Sequence, residues 1–144
     1  SVWAGLQALQ EECDIVLVHD GARPLLTADT VSRLVAVLAS EPTYDGVVLG
    51  HPSVDTVKQV DEHSIVGCTP DRSSLWLAFT PQVFRANALR AAHCAGREAT
   101  DDAGLVEANG GRVGMVRGPR WDVKVTIPED LDLVEALLGK RDAR

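Results

Sequence analysis

The chain has 144 residues, 45% of them hydrophobic and 24% charged, which suits one packed domain and excludes wholesale disorder. Its net charge of −7 argues against broad, non-specific binding of nucleic acid, which needs a basic surface, but leaves room for a small anion held by a few local cations. Cys13, Cys68 and Cys94 form no CxxC pair, so neither zinc nor a disulfide framework is suggested and reduced thiols in the cytoplasm are expected; no apolar run of about 18 residues and no signal peptide occurs, so no membrane span is expected.

Val2, Trp3, Leu6 and Leu9 carry helical spacing, so the chain opens in a helix over residues 2–10, with no capping lead-in beyond Ser1. Residues 14–18 read as a buried strand, and its continuous apolar run fits a parallel sheet covered on both faces. Val31, Leu34, Val35 and Leu38 give residues 27–39 one helical face, with Thr27 or Asp29 as its cap. GVVLG, residues 46–50, is a short buried strand. Residues 56–60 alternate, Asp61-Glu62-His63 is turn material, and 64–68 is again β-like, which reads as a hairpin, polar on both faces and projecting from the body. Leu75–Phe79 is a strand halted by Pro81, and Val83–Cys94 returns to helical spacing. Asp101–Asn109 reads as a short helix stopped by Gly110-Gly111. Val113–Val116 and Val123–Val125 read as strands. Pro128–Leu138 is the last helix, with Glu129 and Asp130 favouring its dipole, and Gly139–Arg144 reads as a solvated tail. Strands alternating with helices give an α/β domain over 1–144 with a mostly parallel sheet. Trp3, Trp76 and Trp121 are expected in the core or at an interface.

The stretch IVLVHDGARPL ends an apolar strand on Asp20, follows it with Gly21 and places Arg23 behind. In an open parallel sheet, ligands bind beyond the carboxyl ends of the strands. A carboxylate there can hold a divalent cation that carries phosphate oxygens. Gly21 allows close backbone approach, and Arg23 offers a forked donor pair to phosphate. The plainer alternative is that Asp20 caps a turn and pairs with Arg23.

Taken in order, HDGARP, DTVK, DRSSLW, FTPQVF, ATDD and KVTIPEDL resemble the 2-C-methyl-D-erythritol 4-phosphate cytidylyltransferase family. The resemblance implies a Rossmann-like nucleotidyltransferase sheet with a projecting β-hairpin arm at residues 52–72 that dimerises the enzyme. That family transfers a cytidylyl group from CTP to methylerythritol phosphate and releases pyrophosphate. The acceptor phosphate attacks in line, so catalysis is positioning plus charge neutralisation. By this resemblance Asp20 binds Mg²⁺, Arg23 is a substrate-phosphate or inter-subunit ligand, and Lys124, buried at a strand end, neutralises the α-phosphate. Thr56 and Arg72 on the arm complete the acceptor site across a homodimer; the alternative is a solvated hairpin with Arg72 paired to Asp71. Thr100 touches substrate, caps the following helix, or does both. Thr80 and Thr126 contact substrate phosphate or fix strand ends. His19 is expected to be structural, because an ionised phosphate needs no base. Asp122 stands where the family often has Asn and alters the charge beside Lys124.

The family's opening strand and glycine-rich loop, AAGxGxRxG, which wraps the triphosphate, does not occur in this sequence. The chain therefore resembles the C-terminal two-thirds of the enzyme, and a sheet lacking the family's first strand would expose a hydrophobic edge. A sibling, ribitol 5-phosphate cytidylyltransferase, shares much of the HDxxRP and TPQ pattern; DRSSLW and HDGARP favour the methylerythritol enzyme. A catalytically silent dimeric fragment is the third reading. No GxGxxG follows a strand, which speaks against a dinucleotide domain.

Overall fold

The computed structural model describes residues 2–10 and 12–142; Ser1, at the expected helix start, and Ala143 and Arg144, in the expected tail, lie outside the described residues. The elements are α1 (Val2–Ala8), β1 (Ile15–Val18), α2 (Ala28–Ser40), β2 (Gly46–Pro52), β3 (Gln59–Val60), β4 (Val66–Cys68), β5 (Trp76–Arg85), α3 (Ala86–Cys94), α4 (Asp102–Ala108), β6 (Val113–Arg117) and α5 (Glu129–Asp142). No helix among the described residues is long and apolar enough to cross a membrane.

The main sheet has the order β1-β5-β2-β6. Strands β1, β2 and β6 point one way and β5 runs against them, so β5 pairs antiparallel with both neighbours while β2 and β6 pair in parallel. The expected parallel direction thus holds for three strands, but the ladders are mixed. Alternation on the strands builds two cores. Val16, Val48 and Phe84 pack with Leu6 of α1, Leu89 and Ala92 of α3 and Val106 of α4. Val47, Leu49, Phe79 and Val83 face the other way, onto Leu34 and Leu38 of α2. The Thr27 hydroxyl accepts the Thr30 N–H at 3.2 Å and starts α2, as its sequence predicts.

Three expectations are overturned. Pro81 does not halt the strand: β5 runs through it to Arg85, and α3 starts only at Ala86. Val83 and Phe84 are completely buried and laddered to β1 and β2 at once, a gain that outweighs their local helical spacing. The register shifts between Val48 and Leu49, opposite Thr80-Pro81, so the proline sits where the ladder is already broken. Residues 123–125 form no strand; the segment is held instead by isolated bonds to the loop after β1. The last helix also passes its expected end at Leu138, because α5 continues to Asp142 with Gly139 and Lys140 exposed, its acidic first turn at Glu129 and Asp130 complementing the helix dipole.

The expected hairpin exists as a separate two-stranded sheet, β3-β4. Every residue from Val54 to Thr69 is exposed, including Val60 and Ile65. Trp3, Trp76 and Trp121 are also partly exposed, so none is a core residue of the single chain. Strand β1 is an edge strand of the sheet, and an apolar hollow of about 370 Å³ lies along it between Leu6, Leu9 and Val16 and reaches His19.

Candidate active site

The loop that follows β1 is built around Asp20. Its carboxylate Oδ1 accepts the Ala22 N–H at 3.1 Å, and its carbonyl accepts the Arg23 N–H at 2.9 Å, so the chain turns tightly within three residues. Its own N–H donates to Thr80 Oγ1 at 3.0 Å, which pins the loop to the middle of β5. Thr80 spends a lone pair on this bond and keeps its hydroxyl hydrogen for another acceptor. Asp20 therefore does cap a turn, but its ionic partner is not Arg23. Lys124 Nζ lies 2.6 Å from Asp20 Oδ2. That bond, then the Ala22 N–H, holds the Asp20 carboxyl below its ordinary range.

The expectation of a buried Lys124 at a strand end is corrected on both counts. Its side chain is 47% exposed and it stands on the irregular segment 121–125. That segment is strapped to the β1 loop. Val125 N–H donates to the Ala22 carbonyl at 2.8 Å, and Arg23 Nη1 donates to the Asp122 carbonyl at 2.7 Å. Arg23 also lies over the Phe79 ring, 5.2 Å from its centre. One backbone bond and two side-chain ties, from Arg23 and Lys124, hold the segment, and they prevail over a three-residue β signal. His19 Nε2 is 2.9 Å from the Arg23 carbonyl, which can only accept, so the bond requires the hydrogen on Nε2. His19 thus has the structural role expected of it.

Asp20, Arg23, Thr80 and Lys124 are consequently gathered at one end of the sheet, beyond the carboxyl end of β1. Thr100 approaches the same end indirectly. Gln82 lies opposite Val18 in the ladder, donates Nε2–H to Asp101 Oδ2 at 2.8 Å and accepts the Ala103 N–H at 3.1 Å. Gln82 is 3% exposed and fixes the loop before α4 to β5. The cap of α4 is Asp101, whose Oδ1 accepts the Gly104 N–H at 2.8 Å, so Thr100 does not serve as the cap. Thr100 itself is exposed. Thr126 gives its N–H and its hydroxyl hydrogen to Asp130 Oδ2 at 2.8 and 2.9 Å, which starts α5 rather than ending a strand. These bonds hold the Asp130 carboxyl low, the Thr126 N–H being the largest cause.

On the arm, Arg72 Nη1 donates to the Val54 carbonyl at 2.8 Å, while Asp71 accepts from Ser73, so the expected alternative of an Arg72–Asp71 pair does not form. Thr56 is exposed. Among the described residues, no hydrogen bond or ion pair joins Thr56 or Arg72 to Asp20, Arg23, Thr80 or Lys124. The sequence offers no local signal for the part that Gln82 and Asp101 play, and it marks Asp130 only as an acid favouring the dipole of the last helix.

The metal question turns on donors. Among the described residues no group of three or more His, Cys, Asp or Glu side chains could hold a metal ion. Asp20 supplies one carboxylate. That fits a magnesium ion carried mainly by phosphates and water, and does not fit a resident ion caged by protein.

The 2-C-methyl-D-erythritol 4-phosphate cytidylyltransferase family matches residues 1–140. A relative of that name from Thermosynechococcus vestitus is 45% identical, over 98% of this chain and 61% of its own length. Another from Symbiobacterium thermophilum is 46% identical, over 96% of this chain and 59% of its own. Among solved structures, 4-diphosphocytidyl-2C-methyl-D-erythritol synthase from Anaerococcus prevotii superposes with a TM-score of 0.85 at 30% identity, covering 96% of this chain and 63% of that one. The 2-C-methyl-D-erythritol 4-phosphate cytidylyltransferase of Thermus thermophilus gives a TM-score of 0.80 at 36% identity, covering 96% and 67%. The chain thus spans about 60% of the length of the curated relatives it matches.

Proposed function

Because this chain belongs to the 2-C-methyl-D-erythritol 4-phosphate cytidylyltransferase family, we propose that the complete protein moves a cytidylyl group from CTP to methylerythritol phosphate and releases pyrophosphate, in the cytoplasm, within isoprenoid biosynthesis. The observation that carries this reading is the Lys124–Asp20 pair, set among Arg23 and Thr80 at the strand tips. Two phosphoryl groups that must meet repel one another. The reaction therefore needs fixed cations and donors more than it needs a proton acceptor.

Each residue has a distinct task. Lys124 is half-exposed on a short strap, so its ammonium can leave Asp20 for the α-phosphate oxygens of CTP. Asp20, released from Lys124, would offer one carboxylate to a magnesium ion accompanying the nucleotide, and such an ion would supply charge neutralisation for the phosphates. Thr80 offers the hydroxyl hydrogen that its bond to the Asp20 N–H leaves free. Arg23 stays committed to the Asp122 carbonyl and keeps the two loops in register. Thr56 and Arg72 lie on an exposed arm away from these groups, which supports a homodimer in which each arm serves the other subunit's acceptor phosphate.

The test uses the complete enzyme and follows pyrophosphate release. Lys124→Ala is expected to lower kcat by about 10²–10³-fold, the usual cost of losing one charge-stabilising group. Thr56→Ala and Arg72→Ala should raise KM for methylerythritol phosphate and leave CTP binding unchanged. Dimers mixing an Arg72→Ala subunit with a Lys124→Ala subunit should regain part of the activity; no recovery refutes the shared site. Faster turnover of ribitol 5-phosphate than of methylerythritol phosphate would refute the acceptor.

A further inference from the structure

The polar side chains of the ATDD stretch meet different fates. Asp102 Oδ1 lies 2.8 Å from His93 Nε2 and ties the start of α4 to α3. Asp101 spends both carboxylate oxygens, Oδ1 on the Gly104 N–H and Oδ2 on Gln82 Nε2–H, each at 2.8 Å. Thr100 takes part in neither tie. Every residue from Cys94 to Thr100 is exposed, and among the described residues no backbone hydrogen bond outside the regular elements reaches residues 97–100. The place of Thr100 is therefore set by the residue that follows it. Among the described residues, the side chain that holds Asp101 from another element is Gln82.

Gln82 follows Thr80-Pro81 on β5, and Thr80 Oγ1 accepts the Asp20 N–H at 3.0 Å. The backbone of Gln82 pairs with Val18 of β1 and with Val48 of β2, so it is laddered on both sides. The stretch 80–82 thus holds the loop of Asp20 through one residue and the loop of Thr100 through another. A glutamine suits the second task because its amide both gives and accepts: Nε2–H serves the Asp101 carboxylate, and Oε1 takes the Ala103 N–H at 3.1 Å. At 3% exposure, water has no room to replace either bond.

We propose that Gln82 is a positioning residue for the acceptor substrate: its grip on Asp101 fixes Thr100 relative to the Asp20–Lys124 pair, so that the Thr100 hydroxyl meets methylerythritol phosphate while the nucleotide occupies the strand tips. The proposal rests on the function given above. Its test runs on the complete enzyme by pyrophosphate release. Gln82→Glu keeps an oxygen for the Ala103 N–H but sets a carboxylate against Asp101. Asp101→Asn keeps the cap of α4 but turns an amide donor toward Gln82 Nε2–H. Each single change is expected to raise KM for methylerythritol phosphate about tenfold, the scale of one hydrogen bond to a charged group, with kcat and the Kd of CTP within about twofold of wild type. In Gln82→Glu/Asp101→Asn the donor and the acceptor of the bond are exchanged, the bond re-forms, and KM should return to within about twofold of wild type. Thr100→Val should raise KM by a similar factor and add nothing to Gln82→Glu.

A Gln82→Glu enzyme that loses kcat with KM unmoved overturns the proposal, because a smaller folded fraction lowers kcat alone. A double variant whose KM stays high overturns it as well, as does a Thr100→Val enzyme with wild-type KM. Where one single variant folds poorly, the other single variant and the double variant decide. Wild-type enzyme that does not turn over methylerythritol phosphate refutes the function instead. The Thr100 amide signal, followed by ¹⁵N NMR without substrate, then decides the positioning: it should move in both single variants and return in the double one, and an unmoved signal overturns the role of Gln82.

Discussion

Gln82 ties the loop bearing Thr100 to the sheet, and its replacement by Met tests how firmly. Methionine has nearly the same length and needs no partner, so packing changes little. Both hydrogen bonds are lost: the one to the Asp101 carboxylate, worth about 1.5–3 kcal/mol, and the one from the Ala103 N–H, worth about 1 kcal/mol. The Ala103 N–H is left buried without an acceptor, since Ala103 is 6% exposed. A loss of about 3 kcal/mol follows. With a urea slope of about 2 kcal/mol per molar, the unfolding midpoint should drop by about 1.5 M. The assay is equilibrium urea unfolding at 25 °C and pH 7, followed by far-UV circular dichroism. Gln82→Glu retains an acceptor for Ala103 but sets a carboxylate against Asp101. Its loss at pH 7 should be at least as great and should shrink on acidification. A Met variant that loses less than about 1 kcal/mol refutes the reasoning, because both bonds would then be replaced at no cost.

The Asp20 carboxyl should titrate below 3.8 by ¹³C NMR, and Lys124→Met should move it upward, since the Lys124 bond is the largest cause of its depression. A carboxyl lowered on folding contributes stability above its ordinary value and loses it as pH falls through the folded value, so wild type should lose more stability below pH 4 than the Met variant; superimposable curves would show that the ion pair does not persist in solution. A Cβ at Gly114 would overlap the ring of Tyr44, so Gly114→Ala should cost about 1–3 kcal/mol in the same urea assay, and a loss under about 0.5 kcal/mol would mean the ring gives way freely.

Local chemistry was legible wherever one turn or one face decided the outcome. Thr27 caps α2, Leu34 and Leu38 fall on its buried face, Asp61 sits in the hairpin turn, and Asp20-Gly21 turns the chain at the tip of β1. What escaped was settled over long sequence distances. Nothing local tells Val83 and Phe84 to prefer β1 and β2 over the helix that begins beside them. Thr100 and Asp101 compete for one cap, and Gln82, 19 residues away, decides it by holding Asp101. Lys124 has the right charge for the site, but its tie to Asp20 spans more than a hundred residues, so its exposure and its irregular backbone could not be read from KVTIPEDL. The resemblance names the four groups that the structure gathers beyond β1, although it carried no information about the irregular segment that holds Lys124 there.

The order of strands bears on how the protein is made. β1 is finished at Val18 and β2 at Pro52, yet among the described strands neither has a neighbour until β5 is complete at Arg85. At roughly 5–20 residues per second of synthesis, the nascent chain carries Val16, Val47 and Leu49 unsheltered for several seconds. A ribosome that stalls before Arg85 therefore leaves β1 and β2 without the strand that joins them, so their apolar faces are most open to wrong partners in that interval.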